Sequence, residues 1–196
     1  MTRLPRIPAL LALALLALAA CREDSASAPP APVTMTAEAV GHYCQMNLLE
    51  HPGPKAQVHL DGMPWPLFFS QVRDAVAYQR MPEQSHLISA LYVSDMGADG
   101  AHWDSPGADN WIAAAGAHFV TGAAVEGGMG APELVPFASR EAAQAFAQEH
   151  GGTVQALADI PDSAVLAPVT FDEDIGSDDD ADFNDRLRAL SRELEG

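Results

Sequence analysis

Two stretches of this chain are versions of one pattern, and the repetition is the strongest constraint on its fold. FFSQVRDAVAYQ at 68–79 and PFASREAAQAFAQ at 136–148 each carry a phenylalanine, a nearby serine and an apolar stripe at helical spacing. The stripes are Val72, Ala75 and Val76 in the first, and Ala142, Ala143 and Phe146 in the second. Residues three and four apart share one helix face, so each stripe predicts a helix with one side for a core. Ser70 and Ser139 are the expected N-caps, because a serine hydroxyl accepts one of the N–H groups that a helix start leaves unpaired. Pro82 ends the first helix, and Gly151 with Gly152 ends the second. Short β-rich runs flank both helices. In the first half they lie at 56–60 (Val58 and Leu60 on one face), 66–69 and 87–93; in the second, at 117–121, 133–137 and 153–157. Strand, strand, helix, strand occurs twice, as an internal duplication would give. The expected class is α+β: two similar small ββαβ units packed together, at 38–97 and 98–160.

The flanks have a different composition. Arg3 and Arg6 precede an apolar run at 7–20 that is too short to span a bilayer, for which about 20 residues are needed. The run ends Leu18-Ala19-Ala20-Cys21. This predicts a signal peptide at 1–20 with a lipobox, and acylation of Cys21. The competing reading is an ordinary cleaved signal with a chance cysteine. Residues 21–37, rich in Ser, Ala and Pro, read as a flexible linker. Residues 161–196 read as an acidic, mostly disordered tail, with a short helix at 186–195. Its acids do not make a calcium loop, since the twelfth position counted from Asp172 or Asp174 is Phe183 or Asp185 rather than Glu.

Charge excludes one class of partner. The formal net charge is -17, and loss of Arg3 and Arg6 with the signal takes it to -19. Such a chain is not expected to bind nucleic acid, where Lys and Arg must displace counterions. Anionic headgroups repel it, so its membrane contact is expected through lipid. The expected location is a bacterial membrane surface facing the periplasm. Arg22 after the cysteine favours the outer membrane over the inner one.

The chain has two cysteines, and acylation of Cys21 leaves Cys44 as the only free thiol. A lone thiol in an exported protein is a reactive group, an intermolecular link or a metal ligand. It stands in His42-Tyr43-Cys44-Gln45-Met46. On an extended segment, Cys44 and Met46 would project from the same face and bring a thiolate and a thioether together. Soft sulfur donors select Cu(I). The bland alternative is that Cys44 is a small buried hydrophobe and Met46 core filler. Met129, in Gly127-Gly128-Met129-Gly130, is a second sulfur candidate on a sharply turned or mobile loop. Of seven histidines, none shows zinc spacing; His42 is the one to watch, two places before Cys44. No G-x-S-x-G, P-loop or H-E-x-x-H is present, so no hydrolase signature directs the reading towards an enzyme.

Five blocks in order, HYCQMNL at 42–48, FSQVRDAVAY at 69–78, ALYVSDMG at 90–97, NWIAA at 110–114 and GGMGAPELVPF at 127–137, resemble the NosL family. The resemblance covers 41–157. It implies a two-part ββαβ fold related to that of organomercurial lyase. It implies a membrane-anchored Cu(I) chaperone that uses Cys44 and Met46, with Met129 as a further sulfur. It also implies delivery of copper to nitrous-oxide reductase through the NosDFY complex. The rival classes are a docking or assembly lipoprotein without metal transfer, and an organomercurial-lyase-like enzyme. The second would need more thiols than the one available.

Overall fold

Every strand of the fold pairs antiparallel, in two separate sheets. A computed structural model describes residues 28–82 and 84–169. Pro32–Gly196 is one compact unit and Met1–Ala31 another; all elements below belong to the former. The expected signal peptide, the acylated Cys21 and the tail beyond 169 lie outside the described residues.

The first sheet has the order β2-β1-β3-β4, with β1 Ala56–Leu60, β2 Leu67–Phe69, β3 Ile88–Ser94 and β4 Trp111–Ala113. Helix α1, Val72–Arg80, connects β2 to β3. The second sheet has the order β6-β5-β7, with β5 His118–Thr121, β6 Val135–Phe137 and β7 Thr153–Ala156; helix α2, Arg140–His150, connects β6 to β7. In both sheets the first strand is central and the helix follows the second strand. The registers match too: Phe69 opposes Ala56 at the start of β1, and Phe137 opposes His118 at the start of β5. The repeat read from the sequence is thus a repeat of topology. The first sheet departs from it by adding β4, drawn from beyond residue 97.

One core lies between the sheets. Val58 and Leu60 of β1, Phe69, the α1 stripe Val72, Ala75 and Val76, and Phe119 of β5 form a single buried cluster. The next residue, Val120, points the other way, into a cluster with Val135, Phe137 and Ala143 under α2. Alternation along a strand makes β5 two-faced, and both faces are covered. Each buried aliphatic or aromatic side chain here contributes about 1.5–3 kcal/mol. The outer face of β1 carries Gln57 and His59, buried and bonded to each other at 2.9 Å. Gln57 also exchanges two bonds with the main chain of Val33.

The helix ends separate one expectation from another. Ser139 is the N-cap of α2, and its hydroxyl accepts the Ala142 N–H at 3.0 Å. Gly151 closes α2 at φ 76°. Met81 closes α1, held extended ahead of Pro82. Ser70, however, is not a cap. The N-cap of α1 is Gln71, whose side chain makes no capping bond. Counted from the paired phenylalanines, Gln71 and not Ser70 is the equivalent of Ser139. The start of the tail also needs correction. Helix α3, Ser163–Leu166, packs Val165 into the first core, and the Arg73 guanidinium donates to Ala164 O at 3.1 Å and Ala167 O at 2.6 Å.

Candidate functional site

The loop from Val40 to Asn47 carries the first candidates. An antiparallel bridge between those two residues closes its base. Inside it, the Gln45 N–H donates to Gly41 O at 2.9 Å and the Gly41 N–H to Met46 O at 3.0 Å. Gln45 takes a φ of 55°, a region that side-chain-bearing residues rarely enter. Its amide holds it there by donating to His42 O at 2.8 Å and Gly41 O at 3.2 Å. Cys44 and Met46 therefore flank a left-handed residue in a tight turn. They do not lie on an extended segment, and the same-face argument from i and i+2 does not apply.

The thiol has a definite seat. Cys44 is free and half-buried, and its Sγ lies 3.8 Å from Ser70 Oγ, which accepts from it. A Cβ on Gly41 would stand 2.5 Å from that sulfur, so only glycine leaves the thiol its place. Met46 on the same loop is 40 % exposed. His42, also exposed, packs its ring against Tyr43, Phe69 and Tyr78 at centroid distances of 5.2, 5.6 and 5.7 Å.

Met129 arrives from the second half of the chain. The Gly130 N–H donates to Gly127 O at 2.9 Å and the Gly127 N–H to Ala131 O at 2.8 Å, which makes 127–131 a tight turn. The Met129 N–H donates to Gln71 Oε1 at 2.8 Å. A Cβ on Gly127 would meet Glu133 Oε2 at 2.6 Å and Gln71 Oε1 at 2.8 Å; one on Gly128 would meet His51 Cβ and Pro52 O, each at 2.9 Å. The glycines let this loop settle onto the floor of the site, so the loop is sharply turned and pinned. The Met129 side chain stays partly open, at 39 % exposure. Cys44 thus rests on Ser70 and the Met129 loop on Gln71, two successive residues.

Beneath them is a buried polar floor that the sequence reading missed. Lys55 is fully buried and donates from Nζ to Pro52 O and Gly53 O at 2.7 Å and to Ser70 O at 3.3 Å. Burial lowers its pKa to about 8, against the pull of Glu133 and of the Cys44 sulfur towards the charged form. Glu133, also buried, accepts at Oε1 from the Arg73 and Leu134 N–H groups, while Oε2 has no partner among the described residues. Burial pushes it up to about 8, opposed by those two bonds. Burial likewise raises Asp74, against the attraction of Arg73. One signal for the floor was available: Lys55 is the only lysine in the chain, and a lone lysine in so acidic a sequence is conspicuous.

Among the described residues, no three His, Cys, Asp or Glu side chains come together as a metal cluster. The donors that the two loops offer are soft: a thiol and two thioethers. Sulfur of this kind suits Cu(I) better than zinc, calcium or magnesium.

The NosL family profile matches residues 32–165, nearly all of the fold just described. The chain belongs to the NosL family. Two curated family members are similar to it. The copper-binding lipoprotein NosL of Achromobacter cycloclastes is 59% identical over 181 residues, 92% of this chain and 93% of that one. The copper-binding lipoprotein NosL of Stutzerimonas stutzeri is 36% identical over 126 residues, 64% of this chain and 63% of that one. Among solved structures, the crystal structure of the copper chaperone NosL from Shewanella denitrificans superposes with a TM-score of 0.60 at 28% identity. It covers 67% of this chain and 96% of its own. The family resemblance of the five sequence blocks and the two-sheet α+β fold are both borne out.

Proposed function

We propose that this NosL-family chain carries Cu(I) outside the cytoplasm, tethered to a membrane by lipid on Cys21. In this reading Cys44 is the principal ligand, Met46 and Met129 supply thioether sulfur, and His42 stands at the rim. The cargo is destined for the copper centres of nitrous-oxide reductase, with the NosDFY membrane complex as docking partner. The names of the relatives support copper as the cargo. The observation that carries the reading is the seating of Cys44: a half-buried thiol over Gly41, beside a second loop that brings another partly exposed sulfur.

The chemistry follows from the donor set. Cu(I) binds the thiolate, so loading releases the thiol proton and unloading takes one back. Few ligands on exposed loops leave the ion open to a sulfur or imidazole from the acceptor. Lys55 adds a positive charge beneath the thiol. That charge opposes a second cation above it, which suits a carrier that must release its ion. The role is that of a carrier and not of a catalyst.

Anaerobic titration with Cu(I), with X-ray absorption to count sulfur neighbours, tests this. Cys44→Ser should lose the strongest ligand and most of the affinity, and Met46→Leu should weaken binding while the fold survives. Cells carrying Cys44→Ser should make folded but copper-poor reductase when copper is scarce. A Cys44→Ser protein that binds Cu(I) as well as its parent rules out this site. Lost binding with full reductase maturation under scarcity rules out the delivery role alone. The anchor has its own test: Cys21→Ser should release the protein from membranes, and a variant that stays acylated contradicts the lipobox.

A further inference from the structure

The N-cap position of α1 holds a residue that does not cap. Gln71 has the extended backbone of an N-cap, φ -133° and ψ 139°, and makes no side-chain capping bond. Ser139, at the equivalent position of the second unit, does cap its helix. Making a helix therefore does not require glutamine here. The Gln71 side chain is buried, 1 % exposed, and its Oε1 reaches the Met129 N–H at 2.8 Å. Its Nε2 donates to Asp74 Oδ2 at 3.5 Å. Burying an amide is costly unless its polar atoms are bonded, so the Met129 N–H is the partner that justifies this side chain. The residue just before it, Ser70, holds Cys44. Lys55 links the two anchors: its Nζ donates to Ser70 O at 3.3 Å and to Pro52 O at 2.7 Å, the carbonyl that a Cβ on Gly128 of the Met129 loop would meet at 2.9 Å, so the two sulfur-bearing loops are anchored around one buried lysine.

We propose that Gln71 is a positioning residue for the copper site: by holding the Met129 main chain beside the Ser70 seat of Cys44, it brings the Met129 thioether to the bound ion. This rests on the Cu(I) reading above. Gln71 does not touch copper. It fixes the loop, and the loop presents the sulfur.

The test is a double-mutant cycle on the full chain, read by competition with a Cu(I)-specific chelator and by X-ray absorption. Gln71→Leu keeps the volume and removes the acceptor. It should weaken Cu(I) binding about tenfold, the scale of one lost hydrogen bond. It should also remove one sulfur neighbour, as Met129→Leu does. In a Met129→Leu background it should cost nothing further, whereas a merely structural role would weaken both backgrounds equally. Gly127→Ala provides a second route if Gln71→Leu does not fold, because its Cβ would press on Gln71 Oε1 and dislodge the same bond. Unchanged affinity and sulfur count in Gln71→Leu or Gly127→Ala, with Cys44→Ser and Met129→Leu both weakened, overturns the positioning role and leaves the site intact. If Met129→Leu binds normally, the role falls together with Met129 as a ligand, and Cys44 stands. If Cys44→Ser also binds normally, it is the Cu(I) reading that has failed.

Discussion

Oε1 of Glu133 accepts the main-chain N–H of Arg73 at 3.0 Å, so a carboxyl 60 positions along the chain serves a donor in the first turn of α1. A helix start favours an anion, yet burial dominates and raises the Glu133 pKa from 4.5 to about 8. A carboxyl with a raised folded pKa contributes stability that is full below its unfolded pKa and is lost as pH rises through the folded one. Unfolding free energy should therefore fall between pH 4.5 and 8, with Glu133 giving up to about 1.4 kcal/mol per pH unit. Asp74, also raised by burial, acts in the same direction. Lys55 is protonated in both states through most of this range and adds little slope. Glu133→Gln should flatten the profile measured by urea denaturation. Parallel profiles for parent and variant would show that Glu133 does not hold its proton.

Gly41 should be intolerant of even a methyl group. Its backbone does not need glycine, since its φ is not positive, but the added Cβ would stand 2.5 Å from the Cys44 sulfur. Gly41→Ala should push the thiol out of its seat and raise its rate of reaction with a disulfide reagent. Cu(I) binding should weaken, and the circular dichroism of the fold should not change. A thiol that reacts at the parent rate would mean that the loop yields instead.

The two serines should behave differently. Ser139→Ala removes a capping bond and should cost about 1 kcal/mol of stability. Ser70→Ala removes no cap. It should change thiol reactivity and Cu(I) affinity more than stability, because its hydroxyl accepts from Cys44. Chemical denaturation and thiol titration of both variants separate these outcomes. Equal stability losses would return Ser70 to a capping role.

What could be read from the sequence was the periodic part. The stripes of α1 and α2, the strand at Ala56–Leu60 and the Ser139 cap all come from local spacing, and local spacing is what decides them. β4 falls outside the repeated strand–strand–helix–strand pattern, joining β3 from beyond residue 97, so the repeat gave no signal for it. Ser70 was misread because serine followed by a helical stripe is a sound local signal, and the competing partner, Cys44, lies 26 residues away. The turn at Gln45 escaped because non-glycine residues seldom take positive φ without tertiary support. Cys44, Met46 and Met129 were recognisable as soft donors by residue type. Lys55, Gln71 and Glu133 were not, because they come from three segments and meet only when both sheets are in place.

Helix α1 therefore begins on borrowed partners. The Arg73 N–H waits for Glu133, and Gln71 waits for Met129; α2, capped by Ser139, can start from its own neighbours. A chain that emerges N-terminus first has Cys44 and Ser70 long before residues 127–133 arrive to complete the floor beside them. Closing contacts of such sequence separation is slow compared with forming a local turn. A half-emerged chain thus holds the Cys44 sulfur without the second loop. The order of synthesis keeps the site unfinished until residues 127–133 are made, and any premature stop before residue 127 leaves the Cys44 thiol without the Met129 loop beside it.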